Sequence, residues 1–328
     1  MRPAVQILVA IAPGILPLGA PRGAAVPVLS SLASRLADDD AAQGMPFGTP
    51  LDSIETIRAA YDRDGFAVVP RLADAATVTA LRETYDRLFE SRAGWGRGDF
   101  FDMLADEGAG APQQMSLPQL AWPSRYAPEL AASPIRQAAQ DIGRALLGPT
   151  AELVWEFAIM KPPGIGAPTP WHQDEASFTL GTPYRTAVSV WIPLQDTDEA
   201  NGCMLYVPGS QREPLLRHAS VDGIGRAHAL HAVGVDPSRA VPVPLRAGDA
   251  VLHHSRTLHA AGPNRSAVPR RALTLEFAVK SQADMVRRDF AWNQGKRIAH
   301  EARAARATPL VQRLRRGLRH GMIRLGLR

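Results

Sequence analysis

Six short β-prone runs between residues 151 and about 280, with no helical segment between them, constrain the fold of this chain most. In one of them Val188 and Val190 alternate with Ser189. Such alternation places successive side chains on opposite faces of a strand. Short strands without intervening helices are typical of a sandwich or barrel. We therefore predict a mainly β, jelly-roll fold with strands at Leu153–Met160, Thr186–Leu194, Cys203–Val207, Val241–Leu245, Ala250–His253 and Ala272–Val279.

The preceding region is predicted to supply bracing helices. Ile54, Ile57 and Tyr61 recur at helical spacing, and Gly65 ends this first pattern. Asp74 has the side chain of a helix cap and precedes a second apolar stripe. Further predictions are a strand at Phe66–Pro70, a loop or lid at 94–128, and a helix that opens at Ser133-Pro134 and closes at Gly148.

The two ends differ from the middle of the chain. Residues 1–44 are predicted to be a disordered extension or a leader, since Arg2 precedes an apolar stretch that two prolines interrupt. Met45 is an alternative start. We expect one domain over 45–285, with its jelly-roll core at about 151–280, and a basic, helical C-terminal tail over 286–328.

Charge is concentrated in that tail. The chain has 37 Lys and Arg against 32 Asp and Glu, a net charge of +5. Residues 296–328 hold ten cations and one acid, a net charge of +9, so the rest of the chain carries −4. A basic patch over the main domain is therefore not predicted, and we expect no nucleic-acid partner. The tail contains Pro309–Arg328, a basic amphipathic segment for which membrane contact, an acidic carrier domain and packing on the acidic body stay open.

The single cysteine, Cys203, excludes an internal disulfide framework and a Cys-rich zinc module. A cytoplasmic location fits that count, because reducing compartments hold few disulfide proteins. The chain has no run of eighteen apolar residues, which a spanning helix would need.

The segment Pro170–Asp174, with sequence PWHQD, carries the first indication of chemistry. In an extended chain, residues i and i+2 project to the same face, so His172 and Asp174 present an imidazole and a carboxylate together. A third ligand would come from Gly248–His254 or from His259. Two histidines and one carboxylate on one face of an octahedral ion leave three positions open, as in non-heme Fe(II) oxygenases.

Several further motifs follow one another in a fixed order along residues 51–280. They are Asp62–Phe66 with Val68–Pro70, Lys161–Pro163, Trp171–Asp174, Trp191–Leu194, Asn201–Cys203, Val207–Ser210, Ala247–Asp249, His254, His259, Asn264, Ser266 and Arg270. In this order they resemble the phytanoyl-CoA dioxygenase family of Fe(II)- and 2-oxoglutarate-dependent oxygenases. The resemblance implies a double-stranded β-helix, a cupin-like jelly roll.

The resemblance also implies roles for individual residues. His172, Asp174 and His259 match the iron ligands of the family, and Arg270 matches the arginine that binds the distal carboxylate of 2-oxoglutarate. A planar guanidinium suits a carboxylate because it binds both oxygens. Arg271 is the alternative, since adjacent residues on a strand face opposite ways. The positions of Trp191 and Gln173 flank the co-substrate in the family.

Two positions depart from the family pattern. His259-Ala260-Ala261 stands where the family often has His-Gly-Ser, so a serine hydroxyl toward the co-substrate is missing. Gln211 follows the Pro-Gly-Ser motif where a histidine is common. Neither change removes an iron ligand, and Asp174 argues against a halogenase, which has a small residue there.

The implied activity is that of a 2-oxoglutarate-dependent dioxygenase, a hydroxylase. It would use Fe(II), 2-oxoglutarate and O2 to hydroxylate an unactivated C–H bond of a small substrate, releasing succinate and CO2. Desaturation, epimerisation and ring closure stay open, and so does the substrate, for which an acyl thioester and a natural-product intermediate are candidates. Two other classes also stay open: a metal-dependent cupin-type isomerase or hydrolase without 2-oxoglutarate, and a non-catalytic binding protein on the same fold.

Overall fold

The structure is a computed structural model, and it describes residues 51–108, 114–164, 166–179, 181–184, 186–281 and 290–309. The predicted extension at 1–44 and the amphipathic segment beyond Pro309 lie outside these residues. Four α-helices occur among the described residues: α1 (Leu51–Asp64), α2 (Ala75–Glu90), α3 (Pro134–Leu147) and α4 (Ala299–Ala307). None of them combines the length and the apolar character that crossing a bilayer requires.

Thirteen strands in the same residues form two main antiparallel sheets and one hairpin. They are β1 (Phe66–Val69), β2 (Phe100–Asp102), β3 (Pro118–Ala121), β4 (Glu152–Lys161), β5 (Thr169–His172), β6 (Val188–Pro193), β7 (Met204–Tyr206), β8 (His218–Ser220), β9 (Leu230–Ala232), β10 (Val241–Val243), β11 (Ala250–His254), β12 (His259–Ala261) and β13 (Arg270–Ala278). The large sheet has the order β1-β11-β6-β13-β4-β3-β2, and the small sheet has the order β10-β7-β12-β5. The jelly-roll prediction is confirmed.

The central strands of the large sheet are buried on both faces. In β13, Leu273, Leu275 and Phe277 pack with the helices in one apolar cluster. The alternate residue Ala272 belongs to a second cluster, which includes Ile159 of β4 and residues of the small sheet. The large sheet therefore has an outer face covered by α1, α2 and α3 and an inner face that meets the small sheet.

The predicted ends of the helices agree with the local chemistry. The carboxylate of Asp74 accepts a hydrogen bond from the Thr77 amide at 2.7 Å and caps α2. Pro134 occupies the first turn of α3. The region 94–128 was predicted as a loop or lid, but it contributes β2 and β3 to the edge of the large sheet. That prediction was wrong in part, because strands of three and four residues have too little sequence pattern to be recognised.

Candidate metal centre

Strand pairing brings the two predicted histidine ligands together. His172 is the last residue of β5, His259 is the first of β12, and they are paired directly across the antiparallel ladder. Directly opposed residues point to the same face of a sheet. Their ring centroids are accordingly 4.1 Å apart.

Asp174 joins them from the short 3-10 helix Asp174–Ser177 that follows β5. Its Oδ1 lies 3.6 Å from Nε2 of His172 and 3.5 Å from Nε2 of His259. One ligand atom from each of the three residues lies within 4.8 Å of the other two. The three residues that the sequence predicted as ligands thus meet in space, and their donor set matches the two-histidine, one-carboxylate triad of non-heme iron.

The backbone fixes which nitrogen each imidazole presents. Nδ1 of His172 is 2.8 Å from the carbonyl oxygen of Pro170, and Nδ1 of His259 is 2.8 Å from that of Thr257. A carbonyl only accepts, so Nδ1 donates its hydrogen and the lone pair sits on Nε2. Both lone pairs therefore face Asp174, as a shared ion requires.

The second oxygen of Asp174 is held by a chain of hydrogen bonds. Oδ2 accepts from the hydroxyl of Ser189 at 3.0 Å and lies 3.2 Å from Nε2 of His253. Nδ1 of His253 is in turn 3.0 Å from the hydroxyl of Tyr206. Ser189 and His253 are paired across β6 and β11, which explains why they reach the same oxygen. The carboxylate is thereby oriented with Oδ1 toward the two imidazoles.

Charge in this cluster favours a metal ion. Burial lowers the pKa of His172 and of His259, so both imidazoles are neutral. Burial alone would raise the pKa of Asp174, but its electrostatic interaction with His259 and the hydrogen bond from His253 outweigh the effect of burial and lower that pKa. Neutral imidazoles with an ionised carboxylate are the forms that bind a metal.

Arg270 lies on the inner face of β13 with its guanidinium buried. It is 1% exposed, and among the residues that the structure describes its Nε and Nη1 have no hydrogen-bond partner. Its Cζ lies 5.4 Å from the ring centroid of Trp191, which is also buried. A buried guanidinium without an acid is costly unless a ligand supplies the charge. The site thus fits the carboxylate of an anionic co-substrate.

Arg271, the sequence-level alternative, faces the other way. Its guanidinium makes two hydrogen bonds to the carboxylate of Asp86 in α2, at 2.7 and 2.9 Å. The alternation of β13 therefore leaves Arg270 as the inward arginine.

Gln173 uses its side-chain amide to hold backbone. Its Nε2 donates to the carbonyl of Arg256 at 2.8 Å, and its Oε1 accepts from the amide of Leu216 at 2.9 Å. These bonds fix the loops on either side of the cluster. That Gln173 flanks the co-substrate stays a prediction.

Two histidines outside the sequence motifs lie close to the cluster. His254, which the motifs do include, faces outward, where its Nδ1 accepts from the amide of Arg256. The supporting residue is its neighbour His253. His218, which the sequence motifs do not include, is 1% exposed, and its Nε2 accepts from the amide of Gln173 at 3.2 Å. The alternation of β11 was the one available signal for His253, because it separates the faces of residues 253 and 254.

The inner face of β13 connects the arginine to the metal cluster. Thr274 is paired with Trp191, and Glu276 is paired with Ser189, which binds Asp174. Glu276 is buried, and burial followed by the charge of Asp174 raises its pKa to about 8. One wall of the barrel thus runs from Arg270 to the metal cluster, and a protonated carboxyl lies at the metal end.

Comparison with protein families gives one match. The model described as "Phytanoyl-CoA dioxygenase (PhyH)" matches residues 61–272, well over half of the chain. These residues contain α2, α3, the small sheet, the strands of the large sheet up to the start of β13, and the three-residue cluster.

Individual relatives agree. The chain is 34% identical over 142 residues to a "Probable alpha-ketoglutarate-dependent hypophosphite dioxygenase" of Stutzerimonas stutzeri, a stretch that covers 42% of this chain and 49% of that protein. The chain therefore spans about half the length of this curated relative.

Among solved structures, EvdO2 from Micromonospora carbonacea var. aurantiaca, complexed with 2-oxoglutarate, is 37% identical with a TM-score of 0.58, covering 68% of this chain and 90% of that one. SnoK, a non-heme alpha-ketoglutarate-dependent carbocyclase from nogalamycin biosynthesis, is 25% identical with a TM-score of 0.55, covering 68% and 83%.

Proposed function

Because the chain belongs to the phytanoyl-CoA dioxygenase family, we propose that it is an Fe(II)- and 2-oxoglutarate-dependent oxygenase that hydroxylates a C–H bond of a small organic substrate. His172, Asp174 and His259 hold the iron. Arg270 binds the distal carboxylate of 2-oxoglutarate, with Trp191 beside it and Gln173 bracing the ligand loops. When bound, iron and 2-oxoglutarate supply oxidation by O2, in which the co-substrate leaves as succinate and CO2 and one oxygen atom enters the substrate.

One observation carries this proposal. A three-donor cluster and a buried guanidinium, whose Nε and Nη1 have no hydrogen-bond partner within the described part of the chain, face the interior of the same barrel, and β13 and β6 connect them. A metal-dependent hydrolase or isomerase would account for the cluster but would leave the charge of Arg270 without a purpose. A binding protein without activity would need neither the aligned Nε2 lone pairs nor the free arginine.

The residues of the chain do three things for this reaction. The imidazole tautomers and the two-sided anchoring of Asp174 orient the ligands before the ion arrives. Arg270 fixes the far end of the co-substrate through a charge-assisted pair of hydrogen bonds. The apolar cluster on the inner face, which includes Trp191 and Tyr206, excludes water from the reacting atoms.

The class of the primary substrate is inferred from the solved structures that the chain resembles. Similarity to SnoK, an enzyme of nogalamycin biosynthesis, supports a natural-product intermediate over an acyl thioester. That neighbour is a carbocyclase, so ring closure is the alternative outcome to hydroxylation. For the compartment, the single cysteine supports the reducing cytoplasm.

The test is spectroscopic. Anaerobic addition of Fe(II) and 2-oxoglutarate to the protein is expected to give the weak visible charge-transfer band of the chelate. His172→Ala is expected to abolish the band, because two donors remain. Arg270→Met is expected to weaken the binding of 2-oxoglutarate by about 100-fold or more, because it removes the partner of a buried carboxylate. That loss corresponds to roughly 3 kcal/mol or more of binding free energy.

Arg271→Met is the matched control on the same strand. It removes the partly exposed ion pair to Asp86 and is expected to cost stability, about 1 kcal/mol, while leaving the band intact. A wild-type protein that gives no band with both additions, or an undiminished band in His172→Ala, contradicts the proposed function.

A further inference from the structure

Lys161 is a buried cation that the proposed function does not use. It is the last residue of β4 and is 0% exposed. Within the part of the chain that the structure describes, no carboxylate forms an ion pair with its amine. Lysine is almost never fully buried without a partner, because burying the charge is costly. Such a position calls for a reason other than packing.

The amine reaches across the interior of the barrel. Nζ donates to the carbonyl of Ala167 at 2.5 Å and lies 3.5 Å from the carbonyl of Ala261 in β12. The side chain therefore extends from the large sheet to the small one. Gly166 lets the loop close over its stem, since a Cβ there would come within 2.7 Å of the Lys161 Cβ. An ammonium has three hydrogens, so one donor remains after the two carbonyls.

Lys161 also lies directly opposite Arg270 in the pairing of β4 with β13. Opposed residues have Cβ atoms about 5 Å apart and share a face. Two basic side chains thus face the same space, and the described residues place no acid between them. Like charges at such positions are destabilising unless an anion lies between them.

Burial and nearby ionisable groups affect the pKa values of Lys161 and Arg270. Burial, and then the charge of Arg270, lowers the pKa of Lys161 to about 6. Burial likewise lowers the pKa of Arg270, to about 10, and Tyr85 and Cys203 are the ionisable groups that act on that guanidinium. Arg270 is the charged group that acts on Lys161. Near pH 7.5 the free protein therefore holds Lys161 neutral beside a charged arginine.

We propose that Lys161 is a second binding residue for the distal carboxylate of 2-oxoglutarate, and that it donates to this carboxylate beside Arg270. The inference rests on the proposed function, which supplies the co-substrate. The carboxylate satisfies both cations, and Lys161 becomes protonated as the co-substrate binds. The pair selects 2-oxo acids with a second acidic group over those that end in a methyl.

The test compares two ligands on the anaerobic, Fe(II)-loaded full chain by titration calorimetry. 2-Oxoglutarate carries the distal carboxylate, and 2-oxovalerate ends in a methyl instead. Lys161→Met is expected to weaken the binding of 2-oxoglutarate at least tenfold and the binding of 2-oxovalerate less than twofold. Lys161→Arg is expected to retain most of the preference for 2-oxoglutarate over 2-oxovalerate. Lys280→Met is the control, because Lys280 pairs with Glu152 at the far end of the same two strands and is partly exposed.

A second measurement needs no variant. Titrations of the wild-type protein at pH 7.5 in buffers of different ionisation enthalpy report protons taken up on binding. Uptake approaching one proton for 2-oxoglutarate, and none for 2-oxovalerate, is expected. Equal uptake for the two ligands would overturn the proposal.

Two outcomes distinguish a failure of the role of Lys161 from a failure of the proposed oxygenase function. If the wild type binds 2-oxoglutarate and Lys161→Met binds it equally well, or loses both ligands to the same degree, the role of Lys161 is refuted and the oxygenase assignment stands. If the wild type binds no 2-oxoglutarate, both fail together.

Discussion

At the scale of single residues, Asp174 organises the candidate metal centre through both carboxylate oxygens. Oδ1 faces the imidazoles of the two candidate ligands, and Oδ2 accepts hydrogen bonds from Ser189 and His253. The second oxygen decides the direction of the first, because a carboxylate held at one end cannot rotate. Hydrogen bonds of this kind commonly set the affinity of a metal site.

His253→Leu tests that support. The variant removes the bond to Oδ2 and frees the hydroxyl of Tyr206, so the affinity for Fe(II) is expected to fall roughly 10- to 100-fold. Anaerobic equilibrium binding of Fe(II) measures it. His254→Leu, on the outward neighbour beside Tyr61, is expected to keep the wild-type affinity. Equal losses in the two variants would show that Asp174 does not depend on His253.

Glu276 provides a prediction about pH. Its pKa is raised to about 8 in the folded protein, against a reference value of 4.5, because it is buried. The folded state therefore holds this proton more tightly. The stability that this contributes is complete below pH 4.5 and is lost as the pH rises to about 8.

Glu276→Gln removes that titration. In metal-free protein, the free energy of unfolding of the variant relative to wild type is expected to rise between pH 5 and pH 8, ideally by about 1.4 kcal/mol for each pH unit. Denaturant unfolding at several pH values measures the difference, and the other titrating groups cancel in the comparison. A difference that stays flat over this range would contradict the raised pKa.

At the scale of elements, β13 shows what alternation settles and what it leaves to pairing. The sequence indicated that Arg270 and Arg271 face opposite ways, but it left open which of them faces inward. Pairing with β4 and β6 decides it, because Leu273, Leu275 and Phe277 contact the helices and leave Arg270 on the other face.

The two strands that carry the candidate histidine ligands were the hardest to predict. β5 has four residues and β12 has three, and neither alternates in polarity over a useful length. They are strands because each pairs with a neighbour in the small sheet, a contact that joins residues 172 and 259 across 87 positions of chain. Local pattern carries no information about such a pairing.

Gly65, at the end of α1, links a helix to the metal centre. It has φ of +83°, and a Cβ there would meet the hydroxyl of Thr257, whose carbonyl holds His259. Gly65→Ala is expected to lower the free energy of unfolding by roughly 1–2 kcal/mol or more and to weaken Fe(II) binding, since Thr257 must move. Thermal unfolding and metal titration measure the two effects.

The matched control is Gly223→Ala. Gly223 has φ of +70°, but a Cβ there would meet nothing within 4 Å. The variant carries the same backbone strain without the clash, so it is expected to lose stability and to bind Fe(II) as the wild type does. If both variants bind Fe(II) equally, α1 does not position His259.

At the scale of the whole molecule, the C-terminal helix α4 is joined to the edge of the large sheet. Arg303 pairs with Glu107 at 2.7 Å, donates to the carbonyl of Phe100 and lies 3.7 Å from the ring centroid of Trp95. Glu107 is nearly fully buried. The sequence placed α4 in a basic tail, and the domain boundary at residue 285 stays a prediction.

Arg303→Ala tests this attachment. The variant leaves the buried carboxylate of Glu107 without its cation, so the free energy of unfolding is expected to fall by roughly 3–5 kcal/mol. Arg306→Ala, on the exposed side of the same helix, is expected to change it by about 0.5 kcal/mol or less. Denaturant unfolding measures both. Similar small changes in the two variants would mean that α4 contributes little to the stability of the fold.

Local sequence patterns were enough to predict the class of fold and the candidate ligands. Alternation in β6 and β13 and helical spacing in α1 and α2 are local patterns, and so are the His-x-Asp pair and the ordered motifs around it. Which charged groups gain a partner depends on the tertiary structure. Among the described residues, Arg270 and Lys161 face each other without a carboxylate partner and His253 supports Asp174, and both arrangements depend on strands far apart in the chain, since burial and charge are properties of the neighbours that folding brings together.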